Sequence, residues 1–125
     1  MNDNLVLSSL NKTWIFDIDG TIAKHNGYKI DGKDTLLEGV KKFFENIPKE
    51  DMIIFVTSRT EECKENTLNF LKENNIRYNH IIFNAPYGER IIINDKKPSG
   101  LKMSYAINSN RDEFFKDIIT IDESL

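Results

Sequence analysis

The sequence is short of cysteine, of long apolar runs and of excess charge, and each shortage closes a class of proteins. Cys63 is the one cysteine in 125 residues, so no intrachain disulfide can form and a thiol cluster for zinc is excluded. No apolar stretch approaches the roughly 20 residues needed to cross a bilayer as a helix. Lys and Arg number 17 against 20 Asp and Glu, a formal net charge of -3. With no basic stripe, non-specific nucleic-acid binding is disfavoured. The opening Met1-Asn2-Asp3-Asn4 lacks the basic start and apolar run of a signal peptide, so the cytoplasm is the expected location. There is no internal repeat, linker, low-complexity tract, Gly-rich phosphate loop or dinucleotide fingerprint. Hydrophobic residues at 39% and charged residues at 30% describe a soluble globular chain. We read residues 1–125 as one domain with a single core.

One stretch organises the rest. Trp14-Ile15-Phe16 runs straight into Asp17-Ile18-Asp19-Gly20-Thr21. A short apolar run reads as a strand buried on both faces, and in an open α/β sheet its carboxyl end opens on the ligand crevice. Residues 1–12 are expected to be a loosely structured lead-in and 13–17 the first strand. Asn26-Gly27 between short apolar-containing runs predicts a hairpin, a small β-flap over residues 22–31. Asp34 reads as the N-cap of a helix carrying Leu36, Leu37, Val40, Phe43 and Phe44, stopped by Pro48.

Met52 to Val56 is the second strand, ending in Thr57-Ser58-Arg59. A helix follows over 60–73, with Cys63, Thr67, Phe70 and Leu71 inward and Asn74-Asn75 closing it. Strands are expected at 80–83, at 90–93 (ending in Asn94-Asp95) and at 103–107, with helical spacing over 112–125. Strands alternating with helices imply an α/β sandwich around a mostly parallel five-stranded sheet.

In a parallel sheet the polar ends Asp17-x-Asp19, Thr57-Ser58 and Asn94-Asp95 share one edge. Clustered carboxylates are costly to desolvate, and a hard, oxygen-rich set of this kind suits magnesium. A carboxylate kept ionised beside a cation can attack phosphorus. A second carboxyl can protonate the leaving oxygen and later activate water. Hydroxyl and backbone N–H groups at Thr57 can hold phosphoryl oxygens.

Phe16-Asp17-Ile18-Asp19-Gly20-Thr21 resembles the first motif of the haloacid dehalogenase-like (HAD) phosphatases. Val56-Thr57-Ser58-Arg59 is similar to their second motif and Ile93-Asn94-Asp95 to their acidic fourth motif. The resemblance covers about residues 13 to 108. It implies a three-layer, Rossmann-like α/β/α fold without a large cap, and a magnesium-dependent phosphomonoester hydrolase. In that reading Asp17 is the nucleophile, Asp19 the acid/base and Thr57 a phosphoryl-binding residue. Magnesium is held by Asp17, the Asp19 carbonyl and Asp95. Gly20, Thr21, Ser58, Arg59, Lys24, His25, Lys96 and Lys97 are the expected substrate contacts, with Tyr28 on the flap.

The third-motif lysine, which in related short phosphatases of surface-polysaccharide gene clusters sits in a Lys-Pro pair, is replaced here by Ala85-Pro86. Arg90, Lys96, Lys97 and Arg59 are the candidates to supply its charge. The expected substrate is a phosphorylated sugar or a phosphoalcohol carried on a saccharide, with the open site covered by a second subunit in one arrangement.

Alternatives remain beside this reading. Asp-x-Asp-Gly-Thr also fits a plain turn and cap, Thr57-Ser58 a helix cap, and Asn94-Asp95 a turn before Pro98 and Gly100. His25 and His80 lack a metal-ligand pattern. A nucleotide or polynucleotide end phosphatase is the runner-up substrate class, and a HAD domain that only binds a phosphorylated ligand is a third. A phosphoacceptor receiver domain is disfavoured, because its aspartate would sit on the third strand, which here ends in Phe83-Asn84.

Overall fold

The structure is a computed structural model describing residues 4–125. Three parallel strands carry its main sheet, in the order β2 (Thr13–Phe16), β3 (Met52–Val56), β4 (His80–Ile82). Thr13 pairs with Met52 and Phe16 with Phe55, while Ile54 pairs with His80. This register brings the carboxyl ends of all three strands to one edge. The expected positions of these strands hold to within a residue, because each is a run of apolar residues bounded by turn-forming ones.

Burial alternates along each strand. Phe16, Ile53 and Phe55 are buried, whereas Ile15 is 47% and Met52 40% exposed. The main sheet is thus half-buried rather than covered on both faces, and among the described residues the five strands of this α/β fold divide into a three-stranded and a two-stranded sheet rather than forming one. The core joins Phe16, Ile18 and Ile22 to Val40 and Phe44 of helix α2 (Val40–Glu45), and to Phe70 and Leu71 of helix α3 (Lys64–Glu73). Phe16 lies 4.7 Å from Phe44 and 6.0 Å from Phe55, ring centre to ring centre, within the range of favourable aromatic packing. A 3-10 turn, Glu61–Cys63, leads into α3, and Asn74 and the left-handed Asn75 (φ 56°) end it.

The amino end of the sheet is tied by Asp51. Its carboxylate accepts from the Lys12 N–H at 3.0 Å, the Trp14 indole at 2.9 Å and the Asn11 amide at 3.2 Å. Burial alone would raise this carboxyl's pKa; the three donors reverse that and leave it lowered.

Several expectations fail, each for a local reason. The lead-in contains a strand, β1 (Asn4–Leu7), paired in parallel with β5 (Ile118–Ile121) as a separate two-stranded sheet; residues 1–3 lie outside the described residues. The flap is no hairpin. A type I′ turn needs positive φ at both central residues; Asn26 has it (φ 55°) but Gly27 does not. Gly27 instead opens the short helix α1 (Gly27–Ile30). The chain returns through an antiparallel bridge between Ala23 and Leu36. Asp34 caps nothing: α2 starts six residues later, after Gly39 at φ 89°.

No helix or strand lies between Ile82 and Ile118 among the described residues, so the strands expected at 90–93 and 103–107 are absent. Asn84 and Ala85 donate to Arg59 O and Thr57 O. Pro86, which has no N–H to donate, ends that pairing. Beyond it Ile91 is 80% and Ile93 94% exposed. Nor is 112–125 helical: Asp112 takes a left-handed conformation (φ 64°), Phe114 turns into the core beside Phe43 (5.2 Å), and the chain then extends into β5. No helix of the described residues is long and apolar enough to cross a membrane.

Candidate active site

Asp17 is the first residue beyond β2, and the turn after it is tightly wound. Ile18 O accepts from the N–H groups of Thr21, Ile22 and Ala23 at 3.0 to 3.2 Å. Gly20 allows this winding through its positive φ of 81°. A Cβ at Gly20 would stand 3.2 Å from Arg111 Cγ. Residue 112 docks on the same turn: its N–H donates to Gly20 O at 2.8 Å, and its Oδ1 accepts from the His25 N–H at 2.6 Å.

The two aspartates have different environments. Asp17 is 34% exposed at its side chain; Oδ2 accepts from Thr21 Oγ1 at 3.2 Å and Oδ1 faces Arg90 Nη1 at 3.3 Å. Arg90 also reaches Ser58 Oγ with Nη2, at 3.4 Å. Of the four candidate cations, Arg90 is therefore the one in contact with Asp17. It follows the loop that Asn84 and Ala85 anchor to the sheet edge, which places it at the site end.

Asp19, by contrast, is clasped by Arg59. Nε and Nη2 donate to its two oxygens at 3.0 and 2.8 Å, and Nη1 and Nη2 donate to the two oxygens of Asp34 at 2.9 and 2.7 Å. The fifth N–H, the second on Nη1, goes to Thr67 Oγ1 at 3.0 Å. A guanidinium has five N–H groups, and all are used inside the chain. Arg59 is 5% exposed, with the Tyr28 ring stacked 4.4 Å from its Cζ. Burial pulls the guanidinium pKa down, but its hydrogen bonds to Asp19 and then Asp34 overcome it and hold the charge on. Burial also raises the Tyr28 phenol, with the neighbouring Cys63 adding to it.

This geometry corrects the assignment of Arg59 as a phosphate contact: no donor remains for a ligand. Thr57 is 1% exposed, and its Oγ1 accepts from the Arg59 N–H at 3.1 Å; the hydroxyl touching Arg90 belongs to Ser58. Lys24 is paired with Asp31 at 3.0 Å on the surface, and His25 is fixed through its backbone. Lys96 and Lys97 are exposed and, among the described residues, form no hydrogen bond or ion pair with either aspartate. The chain at Lys97 closes a turn with Gly100 and Leu101.

Asp95 does not reach the edge either. It is exposed, and its carboxylate meets Asn94 Nδ2 at 3.5 Å. Its expected place depended on the strand at 90–93, which does not form. Among the described residues no three His, Cys, Asp or Glu side chains come together to hold a metal. Asp17 lies at the sheet edge, whereas Asp95, the further carboxylate of the expected set, does not. The expected set of Asp17, Asp19 and Asp95 does not fit the ion in this arrangement.

Asp34, Thr67 and the 111–112 segment were not anticipated from the sequence as parts of this site. Asp34 reads from the sequence as a helix N-cap, and it pairs with Arg59 instead. Its partner lies 25 residues away, beyond the reach of local pattern.

The phosphatase-domain profile of polynucleotide kinase, described as "Polynucleotide kinase PNKP phosphatase domain" and of HAD type, matches residues 11–102. That span is more than half of the chain and contains Asp17, Asp19, Asp34, Thr57, Ser58, Arg59 and Arg90. No curated protein and no solved structure matches the chain. The chain belongs to this family of HAD-type domains, and it is a phosphatase.

Proposed function

We propose that this phosphatase hydrolyses phosphate monoesters through an aspartyl-phosphate on Asp17. The observation that carries the proposal is the unequal pair of carboxylates. Asp17 is accessible beside a cation (Arg90 Nη1 at 3.3 Å), while Asp19 is held at both oxygens by Arg59. An exposed carboxylate oxygen can reach a phosphorus centre, and the Arg90 guanidinium beside it can draw the phosphoryl group in. The Asp17 oxygen forms the new P–O bond as the ester P–O bond breaks, and Asp19 supplies the proton to the departing oxygen. Water then attacks phosphorus, Asp19 takes up its proton, and Asp17 is released. Arg90 and the Ser58 hydroxyl it touches orient the phosphoryl oxygens, with the Thr57 hydroxyl behind them. HAD phosphatases generally use magnesium.

For the substrate we propose a phosphorylated sugar, or a phosphoalcohol carried on a saccharide, of the kind consumed in surface-polysaccharide synthesis. Support comes from the motif pattern, the net charge of -3 and the exposure of Asp17 and Arg90. A second reading, a phosphate at the end of a polynucleotide, is favoured by the family match, whose description names a polynucleotide kinase.

The test is hydrolysis of an aryl phosphate, with and without added magnesium, by wild type and Asp17→Asn. Turnover should fall at least about 10³-fold in the variant. Activity that survives the substitution contradicts the nucleophile. A panel of sugar phosphates and end-phosphorylated oligonucleotides then separates the two substrate readings.

A further inference from the structure

Asp19 is held by Arg59, and Arg59 is itself held. Asp34, 4% exposed at its side chain, takes one N–H from each terminal nitrogen of the guanidinium, and Asp19 takes Nε and the other Nη2 hydrogen. Two bidentate pairs on adjacent sides of one planar group fix the plane of each carboxylate relative to the other. Thr67 Oγ1 takes the fifth hydrogen and itself donates to Cys63 O at 2.7 Å, which anchors the guanidinium to the start of α3. The Tyr28 ring covers its face. The segment bearing Asp34 is in turn tied to the Asp19 turn. Ala23 bridges both Asp19 and Leu36, and the Lys24 N–H donates to Thr35 O at 2.9 Å.

We propose that Asp34 is a positioning residue for the reaction: acting through Arg59, and with Tyr28 against the guanidinium face, it sets the orientation in which the Asp19 carboxyl transfers its proton. This rests on the reading of Asp19 as the acid/base. An amide at position 34 keeps the size of the side chain but turns an NH2 group toward an Arg59 N–H. The fork then rotates, and Asp19 rotates with it. Positioning of a proton donor matters most where the leaving oxygen needs the proton most. Alkyl phosphates therefore depend on it, whereas aryl phosphates with acidic phenols do not.

The experiment compares kcat/KM of the full chain and Asp34→Asn over a series of aryl and alkyl phosphates of increasing leaving-group pKa. This constant reports steps through the first phosphoryl transfer. The expected result is a loss under about threefold for the most acidic phenol, rising to about 10²-fold for the alkyl esters, the range for general acid catalysis. Thermal melting reports whether the variant folds. Should Asp34→Asn fail to fold, Tyr28→Leu, which uncovers the guanidinium without stranding a charge, must show the same steepening. An equal loss for every substrate overturns this proposal alone, since a merely structural role depresses them all together. A wild type that hydrolyses no member overturns the phosphatase mechanism, and this proposal with it.

Discussion

Replacing Arg90 by Ala separates a catalytic cation from a structural one. Arg90 and Asp17 are 3.3 Å apart, with side chains 38% and 34% exposed. In water two unit charges at that separation attract by about 1.3 kcal/mol. Solvent screening and side-chain entropy reduce such exposed pairs to about 0.2–1 kcal/mol. For a chain of this length 1 kcal/mol is about 4 °C in Tm, so Arg90→Ala should melt within about 4 °C of wild type. Its effect on turnover should be far larger. A fixed donor aimed at developing charge contributes about 2.7–4 kcal/mol to the barrier, or 10²–10³ in kcat. Arg90→Lys, which keeps the charge but not the two-pronged reach to Ser58, should recover part of that. Lys97→Ala, remote from both aspartates in its contacts, should stay within about threefold of wild type. Aryl phosphate kinetics and melting curves on the four proteins make the assay. Arg90→Ala with near-normal kcat/KM, or with a Tm lowered by more than about 10 °C, refutes the reasoning.

Three further substitutions probe the scaffold. Arg59→Ala strands the buried Asp34 charge and should cost about 3–5 kcal/mol in urea unfolding; a loss under about 1 kcal/mol contradicts the five-donor network. The folded-state pKa of Asp51 lies below its unfolded value, so the stability it contributes is present above the unfolded carboxyl range near about 3.9. That stability is lost as pH falls through the lower folded value. The urea midpoint of wild type should therefore decline more steeply below about pH 5 than that of Asp51→Asn, and parallel curves would refute the tie. Gly20→Ala puts a β-carbon at φ 81° and 3.2 Å from Arg111 Cγ. It should cost about 1–2 kcal/mol, read by the same unfolding; a stability equal to wild type would mean the turn relaxes freely.

The parts of the fold that were legible in the sequence are those whose signal is local. β2, β3, β4 and α3 each show an apolar run or a 3.6-residue stripe closed by breakers, and the parallel register follows from their order. Arg90-Ile91-Ile92-Ile93 carries the same signal and forms no strand. A short apolar run does not reveal whether an open sheet edge will meet it. Asn26-Gly27 misled because the dipeptide permits a type I′ turn without requiring one; the bridge from Ala23 to Leu36 closes the loop another way. Within the site, Asp17 and Asp19 were readable from their spacing, and Arg90 stood among four cations that only tertiary contacts could sort. Arg59 was read as a ligand contact because it directly follows Thr57-Ser58, the motif expected to hold the phosphoryl group. Its burial depends on two acids, at positions 19 and 34, that no local spacing relates to it.

The central claim, covalent catalysis by Asp17, is tested most directly by trapping the acyl phosphate. Acid-quenched enzyme taken during turnover of an aryl phosphate is reduced with borohydride, which converts an aspartyl-phosphate to homoserine, and is then digested and sequenced by mass spectrometry. The account predicts homoserine at position 17, dependent on substrate, with Asp19 unchanged. Intact Asp17 in enzyme that is turning over substrate, or homoserine at another aspartate, would contradict it.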